Sequence, residues 1–340
     1  MNQQQQPVYV PQMASIAERV NNPPRLVQCI QMHNEEEFAP LVLRSIYDEV
    51  DKIIVIEGAV ENRPNSTEDG HSIDRTVEII KDFKENHDPD KKVIFLQIKK
   101  HWKNLEEIKQ TFLDMSFPGD WLIINDADEI YRPEDIRRLR QAIDLNPHIC
   151  EFVPTFLHFY RDFKHVAVPG PEWQPQHQRI FKYVRGMKYN SHPVVTDPTG
   201  HCTYFSPFYQ NRRAMMRVPF FIYHYGYARM NMDEIMRQKQ EYYTKELAAH
   251  GGANTKFDQK IQDWFDKTEP LLFFDGEHPE VMREHSIANV PSTHFPNETL
   301  WSEDPFYKQV LDKGDYGNIY LCMTHQSQPF MNLYHNAVEV

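Results

Sequence analysis

Glycine is scarce in this chain, at 12 of 340 residues, and neither a Gly-x-Gly-x-x-Gly nor a Walker-type Gly-Lys-Ser/Thr run occurs. That removes the backbone loops on which dinucleotide folds and P-loop enzymes seat phosphates. Cysteine is sparse too. Cys29, Cys150, Cys202 and Cys322 are scattered with no Cys-x-x-Cys, so buried free thiols in a reducing compartment are expected. No apolar run approaches the ~18 residues of a membrane span. The opening MNQQQQPVYVPQM has neither the basic start nor the apolar stretch of a secretory signal. These absences predict a cytoplasmic protein, and the sequons at Asn65 and Asn297 are then chance. Positive charge is also in deficit. With 37 Lys and Arg against 49 Asp and Glu, the net charge of −12 argues against bulk binding to nucleic acid or an anionic membrane.

What the chain does have is 40% hydrophobic and 13% aromatic residues, enough for a sizeable core. Residues 1–24, rich in Gln, Pro and Asn, are expected to be disordered. From Arg25 the pattern becomes regular. LVQCIQM (26–32), KIIVIE (52–57), VIFLQI (93–98) and WLIIN (121–125) read as buried strands. Helices are expected over 38–50, from Asp74 through Phe83, over 104–115 with Asn104 as cap, and from Pro133 at a first-turn position. This β-α repetition implies an α/β fold with a parallel sheet covered on both faces. After Cys150 come aromatic strand candidates, CEFVPTFLHFY, QRIFKYV and PFFIYHYGY, and from Met232 an amphipathic helical pattern. The division expected is a catalytic domain over 25–230 and a mainly helical C-terminal extension over 231–340.

In open α/β sheets, ligands bind at the carboxyl ends of the strands. Three strands here end in acids: the first at His33-Asn34-Glu35-Glu36-Glu37, the second at Glu57, the fourth at Asp126-Ala127-Asp128-Glu129. Clustered carboxylates repel one another unless a cation neutralises them. On an extended strand end, Asp126 and Asp128 point to one side. Hard carboxylate oxygens with open positions suit Mg²⁺ or Mn²⁺, whose other positions go to substrate phosphates. The motif alone also fits a solvated turn whose acids cap the helix near Pro133, and both readings stand at this point.

The order of motifs resembles a glycosyltransferase of the A-type fold (GT-A), close to its family 2-like and family 17-like groups. The strand CIQMHNEEEF comes first, then IIVIEGA, then the helix start Ser72-Ile73-Asp74-Arg75-Thr76. The Asp-x-Asp (DxD) of Asp126 and Asp128 follows, then Gln178-Arg179-Ile180-Phe181 before Gly186, and His192. Ile222-Tyr223-His224-Tyr225-Gly226-Tyr227 and Gly276-Glu277-His278-Pro279 complete the series, over roughly residues 25–285. The resemblance implies a nucleotide-diphosphate sugar donor, a Mn²⁺ or Mg²⁺ cofactor, and a hydroxyl acceptor on a glycan, lipid, protein or other molecule. It implies Asp128 and the distal His224 as metal ligands, with Asp126 on the ribose or the metal. Glu57 falls where the family usually has Asp near the nucleoside. Glu36 falls beside the nucleoside pocket or at a helix start, and Lys103 and Asn104 near the diphosphate or in a helix cap. Arg179 falls on a phosphate or the acceptor, or in a strand-end salt bridge.

An inverting transfer also needs a general base within reach of the acceptor hydroxyl. Asp162 and Glu172 lie in the stretch before QRIF, with Glu172 beside Trp173 the choice. Two other classes compete: a nucleotidyltransferase on a related sheet, which normally needs a Gly-rich basic loop where HNEEEF stands, and a non-catalytic binding protein that has kept the fold.

Overall fold

Alternation along the early strands decides which helices cover which face of the sheet. The structure is a computed structural model that describes residues 24–146, 149–170, 173–191, 194–196, 215–250, 264–266, 270–285, 299–312 and 321–322. Its first half runs β1 (Leu26–Met32), α1 (Ala39–Ser45), β2 (Lys52–Glu57), α2 (Thr76–Asn86), β3 (Val93–Gln97), α3 (Leu105–Asp114), β4 (Trp121–Asp126), β5 (Glu129–Ile130) and α4 (Pro133–Leu145). Ile53 and Val55 of β2, with Trp121 and Ile123 of β4, meet Ile80 of α2 and Leu139 of α4 on one face. Ile54, Ile56, Leu122 and Ile124 turn the other way, onto Ile108 and Phe112 of α3. A period of two places both sets in the core.

The second half adds β6 (Glu151–Tyr160), β7 (His165–Ala167), β8 (Ile180–Lys182), β9 (Lys188–Ser191), β10 (Val194–Thr196) and β11 (Met215–Tyr227). It continues with α5 (Met232–His250), β12 (Leu271–Phe273), α6 (Pro305–Leu311) and β13 (Leu321–Cys322). The main sheet has the order β12-β7-β6-β8-β4-β1-β2-β3, with β11 pairing β5, β6 and β13. β1 to β4 are parallel, as expected. β8 is antiparallel to both β4 and β6, so the sheet is mixed and mostly parallel.

Two helices differ from the sequence reading. The first helix ends early, because Ile46 at φ −132° leaves the helical range, and Tyr47–Glu49 form a 3-10 turn. Asp74 precedes α2 by two residues and accepts from Thr76 N at 3.0 Å and Glu36 N at 3.0 Å, tying two segments together. Among the described cysteines, Cys29 and Cys150 are free thiols, and burial pushes the Cys29 thiol up.

The chain steps outward through β2 and β3, then returns to lay β4 on the opposite side of β1, with Gln31 beside Asp126. The carboxyl ends of β1 and β4 therefore flank the point where strand order reverses, and a crevice opens there.

Candidate active site

A cavity of about 580 Å³ occupies that crevice. Its walls come from the end of β1, the loop after β2, the turn after β4, β6, residues 173–179, β11 and α5. β1 ends because Asn34 adopts φ 55°, a conformation that Asn tolerates. Asn34 then fastens the neighbouring loop, accepting from Ile73 N at 2.9 Å and donating to Asn65 O at 2.7 Å.

The acids after β4 do not lie on an extended strand. Ala127 and Asp128 form a turn between β4 and β5, so the alternation argument for Asp126 and Asp128 does not apply, although both line the cavity. The turn is pinned where Tyr225 N donates to Asp128 O at 2.9 Å. Arg179 sorts the carboxylates. Its Nε donates to Glu129 Oε1 and Oε2 at 3.1 and 2.9 Å, and its Nη2 to Asp126 Oδ2 at 3.1 Å. Burial pushes the Glu129 carboxyl up to about 7 against the pull of Arg179, and the Asp126 charge adds to that rise. The Asp128 carboxyl is raised as well, by burial first, with Arg229 opposing and Asp126 reinforcing.

Asp128 faces His224 across the cavity floor, with His224 Nε2 3.8 Å from Asp128 Oδ1. A Cβ on Gly226 would lie 2.6 Å from Asp128 Oδ2 and 2.7 Å from His224 Nε2, so only glycine leaves this space open. Behind His224 stands His158, the two Nδ1 atoms 2.9 Å apart. Arg229, just after β11, donates from Nη2 to Glu35 Oε2 at 2.7 Å and sits 4.0 Å from Asp128 Oδ2. Lys239 reaches in from α5 with its ammonium 4.6 Å above the Tyr227 ring. Burial lowers its pKa to about 8, Asp128 working against that and Arg229 with it.

The structure brings Asp126, Asp128, Arg179 and His224 to one cavity. The other expected residues stand elsewhere. Glu57 is fully buried beneath the loop and accepts from Ser72 N and Oγ at 2.7 and 2.8 Å and Gln97 Nε2 at 3.0 Å, with His71 Nδ1 at 3.0 Å. Glu36 accepts from Arg75 N at 3.1 Å at the entrance to α2. Asn104 caps α3, accepting from Glu107 N at 3.0 Å, while Glu107 reaches back to Lys103 N at 2.6 Å. Asp162 closes a turn onto His165 Nδ1 at 2.9 Å and is not among the cavity's lining residues. Glu172 and His192 lie outside the described residues. Among the described residues, no three His, Cys, Asp or Glu side chains come together as a metal cluster.

A sequence model of glycosyl transferase family 2 matches residues 29–210. The chain belongs to that family. Its mixed, mostly parallel sheet with flanking helices is the A-type glycosyltransferase architecture. Among solved structures, residues 1–349 of S. aureus TarS are similar at 11% identity and a TM-score of 0.39, over 72% of this chain and 71% of that one. Glucosyl-3-phosphoglycerate synthase from Mycobacterium tuberculosis, in a complex with Mn²⁺ and UDP-glucose, is similar at 18% identity and a TM-score of 0.27. That likeness covers 43% of this chain and 46% of the synthase. No curated protein matches the chain.

His224, Arg229 and Lys239 reach this glycosyltransferase cavity from beyond the matched residues. Lys239 and His158 escaped the sequence reading. Lys239 sits in an ordinary amphipathic helix, and His158 in an aromatic strand that reads as core. The available signal for His158 was its polarity: one imidazole within EFVPTFLHFY, a strand buried throughout.

Proposed function

We propose that this family 2 glycosyltransferase is metal-dependent and moves a sugar from a nucleotide-diphosphate sugar to an acceptor hydroxyl on a glycan, lipid, protein or other molecule. The observation that carries the reading is Asp128 and His224 facing each other over Gly226 at the strand-order switch. Their 3.8 Å separation is too long for a hydrogen bond and lies within the span of two metal–ligand bonds of ~2.1 Å. Asp128 Oδ1 is buried and accepts no hydrogen bond among the described residues. A carboxylate and an imidazole fit Mn²⁺ or Mg²⁺, with the remaining positions open to substrate phosphate.

In this reading Asp128 and His224 hold the ion, and Asp126 serves the ribose or the ion. A bound divalent ion supplies positive charge against the diphosphate as it leaves. Lys239 adds a second cation from α5. Arg179 bridges Asp126 and Glu129 and so braces the turn that carries Asp128. Phe156 and Trp173, both buried in the wall, exclude water from the reacting centre. Glu172 stays the choice for general base, since Asp162 is turned to His165. No helix among the described residues is long and apolar enough to cross a membrane. A cytoplasmic location, where nucleotide sugars are at hand, is part of the proposal.

The test is thermal unfolding with a panel of nucleoside diphosphates, each with and without Mn²⁺, on the wild type and on Asp128→Ala. A ligand at ~100 times its Kd adds ~2.7 kcal/mol of stability. One diphosphate is expected to stabilise the wild type only with Mn²⁺ and to leave Asp128→Ala unmoved, which also names the donor base. A wild type that no nucleotide shifts with or without Mn²⁺ would turn the reading to a binding protein on a transferase fold.

A further inference from the structure

The contact between His158 and His224 is more specific than packing requires. Two imidazoles meet through their Nδ1 atoms at 2.9 Å, so one nitrogen must donate and the other accept. With both rings neutral, the far side of His158 decides which. His158 Nε2 lies 3.0 Å from the carbonyl oxygen of Gln174, and a carbonyl only accepts, so Nε2 carries the proton. A neutral His158 then has a lone pair at Nδ1. His224 then donates its own Nδ1 proton there, which puts its lone pair on Nε2. That is the nitrogen 3.8 Å from Asp128 Oδ1 and the one a Cβ on Gly226 would crowd.

The chain Gln174–His158–His224 is held in place by its surroundings. His158 lies opposite His224 in the register of β6 and β11 and is only 7% exposed. Phe156 stacks on it at 5.2 Å between centroids, and Trp173 packs at 5.5 Å. The two histidine rings meet at 85°, an edge-on arrangement compatible with a hydrogen bond in the plane of each ring. The ring nitrogen that a histidine leaves free is set by the hydrogen bond that its other nitrogen makes.

We infer that His158 is a positioning residue: through Gln174 O and its own Nδ1 it fixes His224 in the Nδ1–H form and aims the Nε2 lone pair at Asp128, where a divalent ion would be held. This rests on the metal-dependent reading above. Free thermal averaging between the two neutral forms of His224 would leave the lone pair on the wrong nitrogen part of the time. An N–H at Nε2 would point a proton at any cation.

The experiment reads the ring and the ion separately. In protein labelled with ¹⁵N in its histidine rings, a long-range ¹H–¹⁵N spectrum reports which nitrogen of His224 is protonated, with His224→Gln assigning its signals. Mn²⁺ affinity is measured by titration on the wild type, His158→Phe, His158→Asn and Asp128→Ala. Expected are Nδ1–H for His224 in the wild type, loss of that preference in His158→Phe, and a Mn²⁺ affinity in that variant at least tenfold weaker, the usual scale for removing a ligand's supporting partner. His158→Asn keeps an acceptor near the Nδ1 position and should recover most of the affinity, which a merely space-filling role would not predict. An Nε2–H His224 in the wild type overturns the inference without any variant having to fold. Mn²⁺ binding that His158→Phe leaves intact but Asp128→Ala abolishes overturns the positioning role alone. A wild type that binds no Mn²⁺ overturns the metal reading itself and takes this role with it.

Discussion

Gly226 lies so close to Asp128 that a Cβ on the glycine would sit 2.6 Å from Asp128 Oδ2. The same atom would be 2.7 Å from His224 Nε2. Gly226 is therefore the wall that gives both side chains their space, and it follows directly on Tyr223, His224 and Tyr225, which hold β5 and the turn after β4. Gly226→Ala must push one side chain aside. Because the two are side-chain atoms and not backbone, the expected outcome is a folded protein with metal affinity reduced tenfold or more. Circular dichroism with a Mn²⁺ titration checks both halves. Unchanged affinity would mean that the gap between Asp128 and His224 is not where a cation sits.

Lys239 gives the site a pH dependence with a defined sign. Burial lowers its pKa to about 8, Asp128 opposing, while Arg229 and Arg63 push the same way as burial. At neutral pH the amine is charged and attracts a diphosphate. Above pH 8 the charge is lost, so affinity for a nucleoside diphosphate should fall as pH rises through that region. A bound anion moves the midpoint upward. Lys239→Gln should flatten the fall and weaken binding roughly tenfold at pH 7, the scale of one charged hydrogen bond. Titrations at pH 7 and pH 9 on both proteins decide it. A wild type whose affinity is flat over that range would remove Lys239 from the diphosphate's contacts.

The parallel half of the fold was legible because its signals are local. β1 and β2 run over the residues that the apolar runs mark, and α3 begins at the Asn104 cap. Order along the chain also marked Asp126, Asp128, Arg179 and His224 as a set, and these four share the cavity. What stayed hidden depends on contacts distant in sequence. Glu57 ends a strand like a site residue, but its side chain anchors Ser72 and Gln97, 15 and 40 positions away. Asp126 and Asp128 read as neighbours on a strand edge, whereas Asp126 ends β4 and Asp128 belongs to the turn that follows. Lys239 carries no signal of its own, because only the docking of α5 brings it over Tyr227.

Asn104 separates a structural role from a binding role. Its side chain accepts from Glu107 N and starts α3, and it does not line the cavity. Asn104→Ala should cost about 1 kcal/mol of stability, the usual effect of losing an N-cap. Denaturant unfolding reads that loss, and a nucleotide titration with Mn²⁺ should show the same affinity as the wild type. A large loss of nucleotide affinity at unchanged stability would instead put Asn104 beside the diphosphate.

Glu129 links stability to pH through its burial beside Arg179. Burial raises its carboxyl from 4.5 to about 7, Asp126 adding to the rise and Arg179 resisting it. The folded protein thus holds a proton that the unfolded chain releases once pH exceeds about 4.5. Between those values the native state binds more protons than the unfolded state, so stability falls as pH rises. The contribution is fully present below pH 4.5 and is lost by about pH 7. At 1.36 kcal/mol per unit of pKa the change is about 3 kcal/mol. Glu129→Gln has no such proton to lose. Its urea midpoint should vary less between pH 5 and pH 7.5 than that of the wild type, even though the amide is a poorer partner for Arg179 and lowers stability throughout. Parallel pH profiles for the two proteins would show that Glu129 is ionised across the whole range and that Arg179 outweighs burial.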